Sequence, residues 1–145
     1  MKLLTLIDKA FLLKRTPLFA MLDLDLLLVI SDKLETLRLD AEDVVFAISD
    51  PGTRVYFIVK GTIEIQSQNG KGPIRLATPD FFGDESLFSE KPRAYQAKAV
   101  TETQLLSLSK PNLLTIISEC PQVAVGLLQA YASTNQMRIN QEDLP

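Results

Sequence analysis

The chain contains no histidine, and that absence alone removes a wide range of chemistry. Imidazole triads and dyads are impossible, and so are the histidine-rich metal sites carried by enzymes of cupin-like β-barrel outline. Cysteine is nearly as scarce. The single Cys120 cannot close an internal disulfide or build a thiolate zinc site. With no general base beside it in sequence it reads as a small structural residue, in a chain suited to a reducing cytoplasm. Long apolar runs are missing too. Asp8 and Lys9 end a start that briefly resembles a signal peptide, and Asp23 and Asp25 break the richest run, 18–30. No segment reaches the roughly 20 apolar residues of a membrane span, so direct membrane insertion is not expected. Nor is there an excess of positive charge. The 15 Lys and Arg residues against 18 Asp and Glu leave a net charge of -3 and no electrostatic reason to expect nucleic acid.

What remains is an ordinary globular composition, 46% apolar and 23% charged over 145 residues, which predicts one domain spanning 1–145. Its pattern has three parts. In 1–35 the apolar residues Leu3, Leu4, Ile7, Phe11 and Leu12 recur at helical spacing, Lys14 and Arg15 suit a helix C-terminus, and Pro17 closes that helix. Asp23 is the expected N-cap of a second, whose Leu26, Leu27 and Ile30 face inward. That leucine-rich stripe suits packing on the chain's own sheets better than docking to a partner.

Over 36–109 the period changes to two. Leu37 and Leu39, then Val44 to Phe46, read as short strands separated by an acidic turn, and Asp50-Pro51-Gly52 reads as a tight turn. Arg54 to Lys60 alternates, with Val55, Phe57 and Val59 on one face and Tyr56 and Ile58 on the other. Gly61 bends the chain into Thr62 to Ile65, and Asn69-Gly70-Lys71-Gly72 is a hairpin tip. Ala94 to Val100 and Gln104 to Ser109 are two more strands. Over 110–140, Pro111 opens one helix running to Cys120 and Pro121 opens another, with Val123, Leu127, Leu128 and Tyr131 as its apolar stripe. Residues 140–145 read as frayed. The expected fold is mainly β, a β-roll or jelly-roll barrel with N-terminal helices and C-terminal helices as a cap or lid.

The chemistry concentrates in 81–96, Phe-Phe-Gly-Asp-Glu-Ser-Leu-Phe-Ser-Glu-Lys-Pro-Arg-Ala-Tyr-Gln. Gly83 lets backbone approach a ligand, and Asp84 to Phe88 can form one helical turn whose free N–H groups favour an anion. The planar fork of Arg93 can hold two phosphate oxygens at once, with Pro92 stiffening its approach. A carboxylate at Asp84 would repel that phosphate but accepts readily from a sugar hydroxyl. Because a side chain reaching into a pocket supports a ligand more than a core, replacing Arg93 is expected to leave the fold intact. Each residue also has a plainer reading. Arg93 could pair with Asp84 or Glu85 at the surface, Ser86 could face solvent, and Glu85, Glu90 and Lys91 could form a solvated rim.

This run resembles the phosphate-binding cassette of cyclic nucleotide-binding domains, Phe-Gly-Glu-x-Ala/Ser-Leu, a spacer, then Pro-Arg-Ala/Ser/Thr. Here it reads Phe82-Gly83-Asp84-Glu85-Ser86-Leu87 and Pro92-Arg93-Ala94. Asp50-Pro51-Gly52 and Val55 to Gly61 are similar to the family's turn and following strand. The resemblance implies a cyclic nucleotide ligand, cAMP or cGMP, with Arg93 on the cyclic phosphate and Asp84 on the ribose 2′-hydroxyl. Gly83, Glu85, Ser86 and Ala94 complete the binding run, and Ile65, Tyr95 and Tyr131 are candidates for pocket wall or lid. It further implies a non-catalytic regulatory module, acting through helix movement on an effector or a larger parent protein, with a homodimer possible through the final helix. Transcription regulators of the family place a helix-turn-helix after that helix. Too few residues follow it here, so DNA binding is not expected. The chain departs from the pattern at Asp84, where glutamate is usual, at Glu42, Ser49 and Pro79, where turn glycines are common, and at Tyr95 and Gln96 beside the phosphate. Those departures suit an alternative, a degenerate relative serving as a protein-interaction or structural domain. No other cofactor is expected.

Overall fold

The change of period at Thr36 is where helices give way to sheets. The structure, a computed structural model, describes residues 3–68 and 72–138. The tip Asn69-Gly70-Lys71 and the end 140–145 lie outside the described residues. Helix α1 (Leu6–Arg15) starts at a reciprocal cap. Thr5 Oγ1 accepts the Asp8 N–H at 3.1 Å and the Asp8 carboxylate accepts the Thr5 N–H at 3.0 Å. Lys14 Nζ then donates to the carbonyls of Ala20 (3.1 Å) and Leu22 (2.9 Å), holding the connection to α2 (Leu24–Ser31) against α1. Asp23 is the N-cap of α2 by position, but its side chain makes no capping bond.

The strands are β1 (Glu35–Leu39), β2 (Val44–Phe46), β3 (Arg54–Lys60), β4 (Ile63–Ser67), β5 (Ile74–Leu76), β6 (Phe81–Phe82), β7 (Tyr95–Ala99) and β8 (Thr103–Ser109). They form two four-stranded sheets, ordered β1-β8-β3-β6 and β2-β7-β4-β5, with antiparallel pairing throughout. The arrangement is the expected jelly roll, but its hydrogen bonding does not close into a barrel. The short helix α3 (Glu85–Ser89) lies between β6 and β7, and α4 (Lys110–Glu119) and α5 (Gln122–Arg138) follow β8. Ser109 caps α4, its hydroxyl accepting the Asn112 N–H at 3.2 Å, with Pro111 in the first turn where a missing N–H costs nothing.

Two cores share strand β3. Val55 and Phe57 point to the helices and pack with Phe19, Leu27, Ile30, Leu106, Leu108, Leu113 and Val123. Ile58 points the other way and packs between the sheets with Leu39, Phe46, Ile63, Phe82, Ala97, Ala99 and Leu105, joined by the half-buried Tyr56, Tyr95 and Ile65. Each fully buried Leu, Ile or Phe contributes about 1.5–3 kcal/mol. The alternation of β3 therefore fixes which residues face the helices and which lie between the sheets. The α5 stripe is narrower than its spacing suggests: Val123 and Leu127 are buried and Tyr131 is half-buried, whereas Leu128 is 69% exposed.

Two turn positions show how the chain manages without glycine. Glu42 and Ser49 sit at φ 77° and 75°, in the left-handed region that favours glycine. Ser49 is held there by its N–H donating to the Arg93 carbonyl at 2.8 Å.

Candidate functional site

The cassette is anchored at both ends. Phe81 and Phe82 pair with Phe57 and Tyr56 of β3, and the Arg93 N–H donates to the Asp50 carbonyl at 2.8 Å, clipping the returning chain to the Asp50-Pro51-Gly52 turn. Between them Gly83 takes φ +85°, α3 makes its short turn, and Glu90 ends it in the left-handed region at φ 57°.

Arg93 is 4% exposed. Its Nη1 donates to the Gly83 carbonyl at 2.6 Å, its Nη2 to the Arg54 carbonyl at 2.8 Å, and its Cζ lies 4.1 Å from the centroid of Phe46. The guanidinium thus ties the cassette to the start of β3, a structural role beyond the expected one of a side chain that reaches into a pocket and supports a ligand more than a core. It is not fully spent. Of its five N–H donors, Nε–H is buried and has no partner among the described residues. Arg93 pairs with neither Asp84 nor Glu85 at the surface. A Cβ on Gly52 would collide with Ser86 and sit 3.0 Å from Arg93 Cζ, and one on Gly83 would sit 3.0 Å from Arg93 Nη1. Both glycines therefore make room for one guanidinium. The role of Gly52 was not readable from its turn alone.

The two acids have different partners. Asp84, at the N-cap of α3, makes no capping bond of its own, and its Oδ2 accepts from the hydroxyl of Tyr131 in α5 at 2.7 Å. Tyr131 also meets Phe88 edge to face, 6.4 Å between centroids at 88°. Glu85 accepts from the Tyr95 hydroxyl at 2.9 Å (Oε2) and 3.2 Å (Oε1), and the same hydroxyl accepts the Gly83 N–H at 2.9 Å. Glu85 thus belongs to the site as well as to its rim. Burial pushes its carboxyl above the ordinary range, helped by the Asp84 charge. Burial also holds both phenols well above their usual range, reinforced by Glu85 at Tyr95 and by Asp84 at Tyr131. Both remain protonated donors.

The side chain of Tyr95 points inward. It shares the face of Ala97 and Ala99 on β7, and its ring lies 5.4 Å from Phe46, which also neighbours Tyr56 and Phe82 at 6.0 Å each. Ile65 packs against the same core. The structure thereby brings together Gly83, Asp84, Glu85, Arg93, Tyr95 and Tyr131. Ala94 is exposed, and the Ser86 hydroxyl is buried and donates to the Lys91 carbonyl at 3.1 Å rather than facing solvent. Ser86, Thr53 and Lys110 help line a separate pocket of about 370 Å³ whose lining includes neither Asp84 nor Arg93. Phe46 and Tyr56, which pack beside Arg93 and the cassette's Phe82, were not among the expected site residues; only their alternation on the inward face could have pointed to them.

The sequence and the fold both have matches among known proteins. Residues 36–120, more than half of the chain, match the family model of the cyclic nucleotide-binding domain. The chain is 32% identical over 113 residues to a cyclic nucleotide-gated potassium channel of Mesorhizobium japonicum, covering 78% of this chain and 31% of the channel. It is 27% identical over 125 residues to a CRP-like cAMP-activated global transcriptional regulator of Mycobacterium tuberculosis, covering 83% of this chain and 56% of the regulator. It thus spans less than two thirds of either relative. Among solved structures, the N-terminal domain of a transcriptional regulator from Streptomyces coelicolor superposes with a TM-score of 0.80 at 29% identity, over 90% of this chain and 96% of that one. The catabolite activator protein of Thermus thermophilus gives 0.73 at 25% identity, over 84% and 59%. Family match, jelly roll and a cassette closed by a buried arginine agree: this chain belongs to the cyclic nucleotide-binding domain family.

Proposed function

We propose that the chain is a regulatory module that binds a cyclic nucleotide, cAMP or cGMP, in the cassette and passes binding on through its C-terminal helices to an effector or a larger parent protein. The observation that carries this reading is the Arg93 Nε–H, a cationic donor buried without a partner beside Gly83. Such a donor is costly unless a ligand satisfies it, and an anionic phosphate is the acceptor that suits it. Gly83, Asp84 and Glu85 supply the polar groups for a ribose hydroxyl, and Ala94 follows the arginine as in the family's cassette. The bond from Tyr131 to Asp84 supports α5 as the element that senses occupation. The names of the channel and regulator relatives support the ligand class. No reaction is assigned to the site.

One observation favours the second reading, a relative that no longer binds nucleotide and serves in protein interaction. The space between the sheets beside Arg93 is occupied by Phe46, Tyr56, Phe82 and Tyr95. Thermal unfolding with cAMP, cGMP and cyclic dinucleotides separates the two. A ligand at 100 times its dissociation constant adds about 2.7 kcal/mol, so a clear rise in Tm supports binding. No rise with any of them leaves the interaction domain as the reading.

A further inference from the structure

The cassette holds a hydroxyl of the chain's own. The Tyr95 oxygen accepts the Gly83 N–H at 2.9 Å and donates to Glu85 at 2.9 Å, so one oxygen satisfies a backbone donor and a carboxylate together. A sugar hydroxyl entering beside Gly83 needs that same N–H pointed at its lone pair, with Asp84 or Glu85 to accept its proton. The Gly83 N–H cannot serve both hydroxyls at once.

Tyr95 is placed to do this by the strand, not by the helical turn. Along β7 its inward neighbours are Ala97 and Ala99, both fully buried, so a large ring stands at the cassette end of a row of small side chains. The ring packs on Phe46, the residue under Arg93, and its hydroxyl reaches Gly83, whose carbonyl Arg93 holds at 2.6 Å. The phenol therefore lies within the polar frame that Arg93 organises. We infer that the Tyr95 hydroxyl is an internal stand-in for the ligand's ribose hydroxyl, which must displace it, and that Tyr95 thereby sets affinity and the preference for a ribose over a deoxyribose. This rests on the proposed cyclic nucleotide reading.

The test is Tyr95→Phe, which deletes the oxygen and keeps the ring that packs on Phe46. In the free variant the Gly83 N–H loses its partner, and a ribose hydroxyl restores it on binding. Calorimetric titration of wild type and variant with cAMP and with 2′-deoxy-cAMP should show the variant binding cAMP about fivefold more tightly, the effect of one hydrogen bond. The deoxy analogue should gain nothing, so the preference for the ribonucleotide should rise by the same factor. Equal or weaker cAMP binding by the variant overturns the stand-in while leaving the cyclic nucleotide reading in place. So does an equal gain for both nucleotides, because a purely structural loosening does not distinguish them. Binding by the variant alone supports both. If neither protein binds either nucleotide, the cyclic nucleotide reading fails and the stand-in falls with it.

Discussion

Arg93→Ala should cost the protein stability before any ligand is considered. The side chain makes two charge-assisted bonds to backbone carbonyls, at 2.6 Å to Gly83 and 2.8 Å to Arg54, and lies over Phe46. Hydrogen bonds to a charged group contribute about 1.5–3 kcal/mol each, and a partly desolvated cation–π contact about 1 kcal/mol. Against these stands the desolvation of a guanidinium that is 4% exposed, which amounts to several kcal/mol. The alanine variant escapes that desolvation but leaves the Gly83 and Arg54 carbonyls with an unmet acceptor and a cavity beside Phe46. A net loss of about 3 kcal/mol is expected, and urea denaturation with an unchanged m-value measures it. At this chain length that corresponds to roughly 6–12 °C in Tm. Arg93→Lys keeps the charge but not the fork, so it should retain at most one carbonyl and lose about half as much. An alanine variant within about 0.5 kcal/mol of wild type would refute the reasoning, since the guanidinium would then be held by the ligand's needs and not by the fold's.

Two further substitutions probe the frame around the site. Ser49→Gly should stabilise by about 0.5–1 kcal/mol, because a left-handed φ of 75° is strained for serine and open to glycine; a loss of stability on denaturation would show that the turn is not strained. Tyr131→Phe and Asp84→Asn should each cost about 1 kcal/mol through their shared 2.7 Å bond. The double variant should cost little more than either alone, and simple additivity in the cycle would show that the two residues are not coupled.

The order and type of most elements were legible because they follow from local pattern. The alternation of Arg54 to Lys60 assigned Val55 and Phe57 to one face and Tyr56 and Ile58 to the other, and the two cores divide those residues in that way. The cassette motif likewise placed Gly83, its short helix and Arg93 together. What could not be read was where side chains go when their partners come from distant strands. The direction of Arg93 depends on carbonyls at Gly83 and Arg54 and on the ring of Phe46, and no spacing relates these three. Tyr95, expected only as pocket wall or lid, shows the same limit: its phase follows from Ala97 and Ala99, but the bond to Gly83 that fixes the hydroxyl belongs to another segment. Leu128 shows the opposite error. Helical spacing marks a stripe, yet the width of the surface that α5 covers decides how much of it is buried, and Leu128 falls outside.

The same frame links the site to the C-terminal helices. The carbonyl of Arg54 accepts from Arg93 Nη2 at 2.8 Å, and the preceding carbonyl, of Thr53, accepts the N–H of Lys110, first residue of α4, at 2.8 Å. One stretch of backbone at the start of β3 therefore carries both the cationic centre of the cassette and the root of the C-terminal helices. From the far side, Tyr131 returns α5 to Asp84, only one residue from the glycine that Arg93 also holds. Site and helices thus form a closed loop of short polar bonds, beneath which Phe57 packs on Phe19 of the α1–α2 connection while its neighbour Tyr56 stacks on Phe82 of the cassette. A ligand that rearranges Arg93 or Asp84 must alter bonds at one end of that loop or the other, and it can shift the helices only by as much as its contacts differ between the two arrangements.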